Sequence, residues 1–279
     1  MGPRGPWEGI RGLSDKDNVK KRCGVHDPIP PIARTSLNHG ANSLRLTGLI
    51  PGSLGATVSH LRLPPYQPLP PPDPARDLIE VRIADLQPTQ MCVGLAEVRS
   101  RQRDFAEETA EERRAYLARK PVPLVQGGEG EHWMIDRHHR LRGLVEMDAN
   151  AIAFGYVVLD LGTATRLRVL EELQQRGWLY LYDGRGVGPH PATALPGRLS
   201  DLLDDPYRSL VWKLKREKRI AAQPLIPFHE FRWGAWLRSR PLPPFSSERL
   251  DPALAPARAL VTSAAAAHLA GWSGRRHDA

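Results

Sequence analysis

Apolar and polar positions alternate from residue 78, with Leu78, Glu80 and Arg82 set against Ile79, Val81 and Ile83. That period of two predicts a half-buried strand over 78–84, leaving through a proline-containing turn at 85–89. Residues 94–120 are rich in helix formers, with Leu95, Val98, Phe105, Tyr116 and Leu117 roughly on one side, so a single helix ended by Pro121 is expected. Its Glu107-Glu108, Glu111-Glu112 and Arg113-Arg114 read as a solvated face of charge pairs. Two short apolar runs, 121–126 and 131–135, flank the turn Gly127-Gly128-Glu129-Gly130 and predict a hairpin. The second run, Trp133-Met134-Ile135, leads straight into 137–147, where Leu141, Leu144 and Val145 recur at helical spacing. A buried strand follows at 154–159. Helices are then expected at about 165–176, 199–219, 229–238 and 256–270. The fold class is therefore α+β: a small mixed sheet with packed helices, followed by a mostly helical C-terminal extension.

Residues before Asp77 lack sustained periodicity and hold about half of the 27 prolines, including Pro64, Pro65, Pro68 and Pro70 to Pro72. They are expected to form a disordered extension, 1–76, ending in a stiff polyproline spacer, with domains at 77–163 and 164–279. Of the formal net charge of +8, +5 falls in residues 1–76 and +3 in the rest. The folded part is nearly balanced, so the overall basicity gives little support to a dedicated DNA-binding domain. No stretch approaches the roughly 18 to 20 apolar residues of a membrane span. The first residues carry no apolar signal core, and the expected location is the cytoplasm. Cys23 and Cys92 lie in different regions, so no structural disulfide is expected, and Cys92 reads as a buried thiol.

The stretch that carries chemistry is Asp136-Arg137-His138-His139-Arg140-Leu141-Arg142. Asp136 has the short acceptor side chain of a helix N-cap. His138, His139, Arg140 and Arg142 then crowd the first turn, where free backbone N–H groups and the dipole already favour an anion. Cations at that end cost helix stability, up to about 1 kcal/mol each. A bound phosphate or carboxylate accounts for them; the bland alternative is an exposed basic turn. Adjacent helical histidines point about 100° apart, unlike an i,i+4 chelating pair, so no protein-held metal is expected. The loop Asp183-Gly184-Arg185-Gly186-Val187-Gly188 precedes prolines rather than a helix and reads as a flexible loop. Asp204-Asp205-Pro206 reads as a turn and helix start, the basic run from Lys213 to Arg219 as a solvated face, and Trp233, Trp236 and Phe231 as core anchors.

The stretch from Asp136 to Arg142 resembles the Asp-Gly-His-His-Arg type of motif of the ParB/sulfiredoxin superfamily, in particular its ParB-like nuclease branch. Upstream, Asp85-Leu86-Gln87-Pro88-Thr89-Gln90-Met91-Cys92-Val93-Gly94 resembles the opening segment of that branch. Downstream, Asp204-Asp205-Pro206-Tyr207-Arg208-Ser209-Leu210 resembles a further block, in the expected order. The resemblance implies that basic motif residues hold phosphate above a helix N-terminus, with His139 and Arg140 as ligands. His138 stands where sulfiredoxins carry their catalytic Cys, which excludes sulfinic-acid repair. The Gly and Glu of the CTP-hydrolysing Gly-Glu-Arg-Arg motif are missing too. Arg137 replaces the Gly that precedes the His-His-Arg run of the superfamily's free-serine kinases, where its side chain either narrows the pocket or adds a ligand.

Two functional classes follow. In the first, the protein is a nucleotide- or phosphate-handling enzyme for phosphoryl transfer or phosphate-ester hydrolysis. Thr89 and Gln90 shape its pocket, His139 and Arg140 clamp phosphate, Arg142 adds charge, and His138 and Asp136 are the catalytic candidates. ATP or another nucleotide would bring a hydrated Mg²⁺, with Asp136 the nearest carboxylate. In the second, a ParB-like module senses nucleotide, or docks DNA or protein, without turnover. The partner is a nucleotide or phosphorylated small molecule, with nucleic acid second and no membrane.

Overall fold

Five strands form a mixed sheet because the apolar runs alternate between its two faces. A computed structural model describes residues 63–72 and 77–274. The strands are β1 (Ile79–Arg82), β2 (Leu86–Pro88), β4 (Val122–Gln126), β5 (His132–Met134) and β6 (Ile152–Asp160), in the order β1-β6-β4-β5-β2. β4 and β5 are the expected antiparallel hairpin, with Leu124 opposite Met134 and Val125 opposite Trp133. β6 runs parallel to β4 and antiparallel to β1, while β2 lies parallel to β5. A separate short pair joins β3 (Cys92–Val93) to β7 (Leu203–Asp204).

Among the described residues there are seven α-helices: α1 (Leu95–Glu107), α2 (Ala110–Arg119), α3 (His138–Met147), α4 (Arg166–Gln175), α5 (Pro206–Arg216), α6 (His229–Arg238) and α7 (Asp251–Thr262). On one face Leu124, Met134 and Ala153 pack with Val98 and Phe105 of α1, Leu117 of α2, and Leu141 and Leu144 of α3. On the other, Val125, Trp133 and Ile135 meet Val169, Leu170 and Leu173 of α4. The α5, α6 and α7 helices share a third core of Leu210, Leu214, Trp233, Leu237, Ala253 and Ala257. Removing such side chains from water stabilises the fold by about 1.5–3 kcal/mol each. The described residues belong to one compact unit.

Several expectations need correction. Residues 94–120 make two helices, because Thr109 accepts from Glu112 N while the Glu112 carboxylate accepts from Thr109 N. This capping box restarts the helix and is written in the sequence as Thr-x-x-Glu. The turn expected at 85–89 contains β2. The helix expected over 199–219 is a short 3-10 turn, then β7, then α5 beginning at Pro206. The last helix begins earlier than expected, at Asp251, and carries Pro256 inside it.

The proline-rich extension lies outside the described residues except for 63–72, which dock on the domain as an extended strap. Gln67 N donates to Arg176 O at 2.8 Å, Leu69 N to Leu225 O at 2.8 Å, and Trp178 Nε1 to Gln67 O at 2.8 Å. Leu69 is buried in the α4-side core. Proline suits such a strap, because its fixed φ lowers the entropy lost on docking and the backbone carbonyls remain free to accept.

No described helix is long and apolar enough to cross a membrane.

Candidate anion-binding site

The start of α3 is built differently from the sequence expectation. Arg137, not Asp136, is the N-cap, and it takes the left-handed conformation with φ 79°. Asp136 holds that strained residue: Oδ1 accepts from Arg137 N at 2.7 Å and Oδ2 pairs with Arg137 Nη1 at 2.7 Å. A non-glycine residue in this region costs about 1–2 kcal/mol.

Both histidines accept a backbone N–H at Nε2. Thr89 N donates to His138 Nε2 at 3.1 Å, and the Thr89 hydroxyl donates to Met134 O at 2.7 Å. Gly94 N donates to His139 Nε2 at 2.9 Å. Each ring must therefore be neutral, with the proton on Nδ1, to offer Nε2 as an acceptor. Burial, only partly offset by Asp136, pushes His138 down to about 3. Burial, then the positive charge of Arg208, lowers His139 well below the ordinary imidazole value. His138 is thus the pin between β2 and α3, away from the cavity wall. His139 joins α3 to the start of α1, where an added Cβ on Gly94 would stand 2.7 Å from Ser209 N. His139 lines the cavity described next, with Nε2 taken by Gly94 N and its proton on Nδ1.

The remaining expected residues separate into two groups. Arg142 is a strut: Nε donates to Glu146 at 2.7 Å and Nη1 to Leu202 O. Thr89 is fully buried and is a scaffold residue. Neither lines the cavity. Gln90, Asp136 and Arg140 do line it. Gln90 Nε2 donates to Cys92 O at 2.6 Å. Arg140 lies over the Tyr116 ring, 5.0 Å from its centroid, and donates to Lys120 O at 3.1 Å.

That cavity, about 270 Å³, brings Arg137 and Arg140 of the motif together with Arg101 of α1 and Arg208 and Lys215 of α5. Glu97, Asp136 and Glu230 are the acidic side chains in its wall, so cations outnumber anions by two. Arg208 pairs with Glu97 at 2.9 Å, and Lys215 pairs with Glu230. Although burial pushes Glu230 up, Arg208 and Lys215 hold it down at about 2. Burial, and then the neighbouring charges of Arg137 and Arg101 against the favourable Tyr116, lower the pKa of Arg140.

The decisive residue is Arg208. Its side chain is 6% exposed, yet Nε and Nη1 are buried without a hydrogen-bond partner. Among the described residues no other arginine has two such nitrogens. Leaving charged donors unpaired in the interior costs several kcal/mol in general, and the Phe231 ring, its centroid 5.7 Å from the guanidinium, offsets part of it. Arg101, Arg208 and Lys215 were missed as site residues in the sequence. Arg208 had a signal in the Asp-Asp-Pro-Tyr-Arg block and Lys215 one in the basic run from Lys213 to Arg219, which reads as a solvated face; Arg101 had none.

No group of three or more His, Cys, Asp or Glu side chains among the described residues is placed to hold a metal ion. Asp136 alone is a poor seat for Mg²⁺, because both of its oxygens already meet Arg137.

Residues 79–239 match the family described as "Putative ParB-like nuclease". Among solved structures the chain is similar to the crystal structure of protein Atu1540 from Agrobacterium tumefaciens, with 29% sequence identity and a TM-score of 0.63. That similarity covers 72% of this chain and 100% of the other. No curated protein matches.

Proposed function

The chain belongs to the ParB-like nuclease family, and from that premise we propose that its cavity binds a phosphate-bearing ligand, a nucleotide or another phosphorylated small molecule. The observation that carries this is Arg208, a buried guanidinium with two unpaired nitrogens in the wall of a cavity that Arg137 and Arg140 also line. Guanidinium groups match phosphate oxygens in pairs, and a low-dielectric wall strengthens each contact. Arg140, Arg137 and Arg208 are the direct ligands in this reading. Arg101 and Lys215 add charge, while His138, His139, Thr89 and Arg142 hold the frame.

The same charges suit phosphoryl transfer or phosphate-ester hydrolysis, since stabilising a phosphoryl group is most of that chemistry. Asp136 is then the carboxylate to take a proton from the attacking hydroxyl or water, once a phosphate draws Arg137 Nη1 away from its Oδ2. Binding without turnover is the second reading. It is favoured by the two histidines, whose Nε2 atoms are sealed by backbone N–H groups. Nucleic acid, suggested by the family description, enters as a ligand through the same phosphate chemistry.

Thermal shift and product formation with ATP, ADP, CTP and GTP, with and without Mg²⁺, test both readings on the full chain. Stabilisation by one nucleotide, lost in Arg140→Ala and Arg208→Gln, is the expected result, and product separates the enzyme from the sensor. The absence of a shift with every nucleotide, and with a short single-stranded oligonucleotide, would sink the phosphate assignment.

A further inference from the structure

Inside the same cavity, the cations meet a wall of a different kind. Leu69 of the strap, Ile135 at the end of β5, and Ile226, Pro227 and Phe228 ahead of α6 line it together with the arginines. The strap and the segment before α6 are joined, because Leu69 N donates to Leu225 O at 2.8 Å. Tyr156, on β6, fixes the far side of the strap through its hydroxyl, 3.3 Å from Pro70 O. At the near side Arg232 Nη2 donates to Pro64 O at 3.1 Å, and its guanidinium lies 4.4 Å from the Tyr66 ring centroid. Leu69 itself is 5% exposed. Phe228 is held at φ 53°, a conformation L side chains rarely adopt, immediately before α6.

We propose that residues 63–72 are a working wall of the ligand site, and that Leu69, with Phe228, selects an organic phosphate whose apolar or aromatic body lies against them, in preference to inorganic phosphate. The proposal rests on the phosphate reading above and adds to it what the rest of the ligand is. Cations alone would serve a bare oxyanion. A space of about 270 Å³ is far larger than a bare phosphate fills, and lies near the roughly 300 Å³ at which small-molecule pockets begin. A bare phosphate would leave much of it to water against Leu69, Ile226 and Phe228, surfaces that offer water no hydrogen bonds. An apolar group placed there displaces that water, and the effect scales with the apolar area covered. The strap lies outside residues 79–239, the part that matches the family.

The test compares inorganic phosphate with phenyl phosphate, by calorimetry on the full chain, in the wild type, Leu69→Ala and Leu69→Met. Phenyl phosphate is expected to bind the wild type about tenfold or more tightly than inorganic phosphate, an apolar surplus of about 1.4 kcal/mol. In Leu69→Ala that preference falls to about threefold or less, while inorganic phosphate affinity stays within about twofold; Leu69→Met keeps the preference. Hydrogen exchange at the residue 69 amide, bonded to Leu225 O in the docked strap, shows whether the strap stays in place in each variant. Equal affinity of the two ligands in the wild type, or a preference that Leu69→Ala leaves untouched, overturns the strap assignment while leaving the phosphate site standing. If the exchange shows the strap released in Leu69→Ala and the preference still persists, the assignment is overturned as well. Binding of neither ligand to the wild type removes the phosphate reading, and this proposal with it.

Discussion

Acid should loosen this fold well before its carboxylates titrate, and His138 is the place to measure it. The ring accepts from Thr89 N at 3.1 Å in a buried site. Protonation at Nε2 would set one donor against another. Its pKa in the folded chain, about 3, lies below the 6.5 of a free imidazole. Between those values the unfolded chain takes up a proton that the folded chain refuses, so stability is full above about pH 6.5 and falls as pH drops toward 3. Each pH unit in that window costs about 1.4 kcal/mol. From pH 7 to pH 5 the loss attributable to His138 is therefore about 2 kcal/mol. His139 and His229 are depressed in the same direction and add to the total. Glu230, held down at about 2, weakens the fold mainly below its free-chain value of 4.5, outside the measured range of pH 7 to 5. Asp205, raised by burial, carries the opposite sign. The clean quantity is therefore a difference between two proteins that share these groups. Urea unfolding followed by tryptophan fluorescence, at several pH values from 7 to 5, would be run on wild type and His138→Gln. A glutamine carbonyl can accept from Thr89 N without titrating. The variant, whatever its stability at pH 7, should lose about 2 kcal/mol less than wild type on going to pH 5. Parallel losses, within about 0.5 kcal/mol, would refute the neutral-acceptor account of His138.

Arg140→Ala should abolish the thermal shift caused by a phosphate ligand, whereas Arg142→Ala should lower the melting temperature and leave that shift intact, because Arg142 braces Glu146 and Leu202 O. Arg137→Gly should fold with stability within about 1 kcal/mol of wild type, since φ 79° suits glycine, yet lose about tenfold in ligand affinity by calorimetry. Gly94→Ala should cost about 1–3 kcal/mol in urea unfolding, as the new Cβ would press on Ser209 N and the Arg208 backbone. Thr109→Ala should cost about 1 kcal/mol and speed hydrogen exchange at the start of α2, with no effect on ligand binding.

What the sequence disclosed was whatever a local period or a local cap encodes. The hairpin, β6 and α3 rest on runs that alternate or repeat at helical spacing, and α6 appears over His229–Arg238, the span expected for it. Asp205 caps α5 through Tyr207 N and Arg208 N, as Asp-Pro before an apolar run suggested. β2 was missed because three residues carry no period, and its pairing with β5 is parallel and so requires a partner distant in the chain. The division between α1 and α2 was legible and was passed over, since helix propensity on both sides of Thr109 outweighed a four-residue signature. The strap is the opposite case. Proline content predicts an extended backbone but says nothing of whether Leu69 finds a cavity.

The site shows why a motif is a poor map of its own ligands. In this first turn the histidine Nε2 atoms are taken by Thr89 N and Gly94 N. The positive charge in the cavity wall comes from Arg137 and Arg140 on either side of them, with Arg208 and Lys215 from α5 and Arg101 from α1. Arg137 resolves the question its position raised. The left-handed backbone that a glycine would take without cost is imposed here on an arginine, and Asp136 offsets the strain with two hydrogen bonds. Its side chain stands in the cavity wall with Nε buried and unpaired. A residue that is strained at its backbone and unsatisfied at its head group is costly twice over. A phosphate bound between Arg137, Arg140 and Arg208, as proposed, would give that head group a further partner, while the backbone strain is met by Asp136.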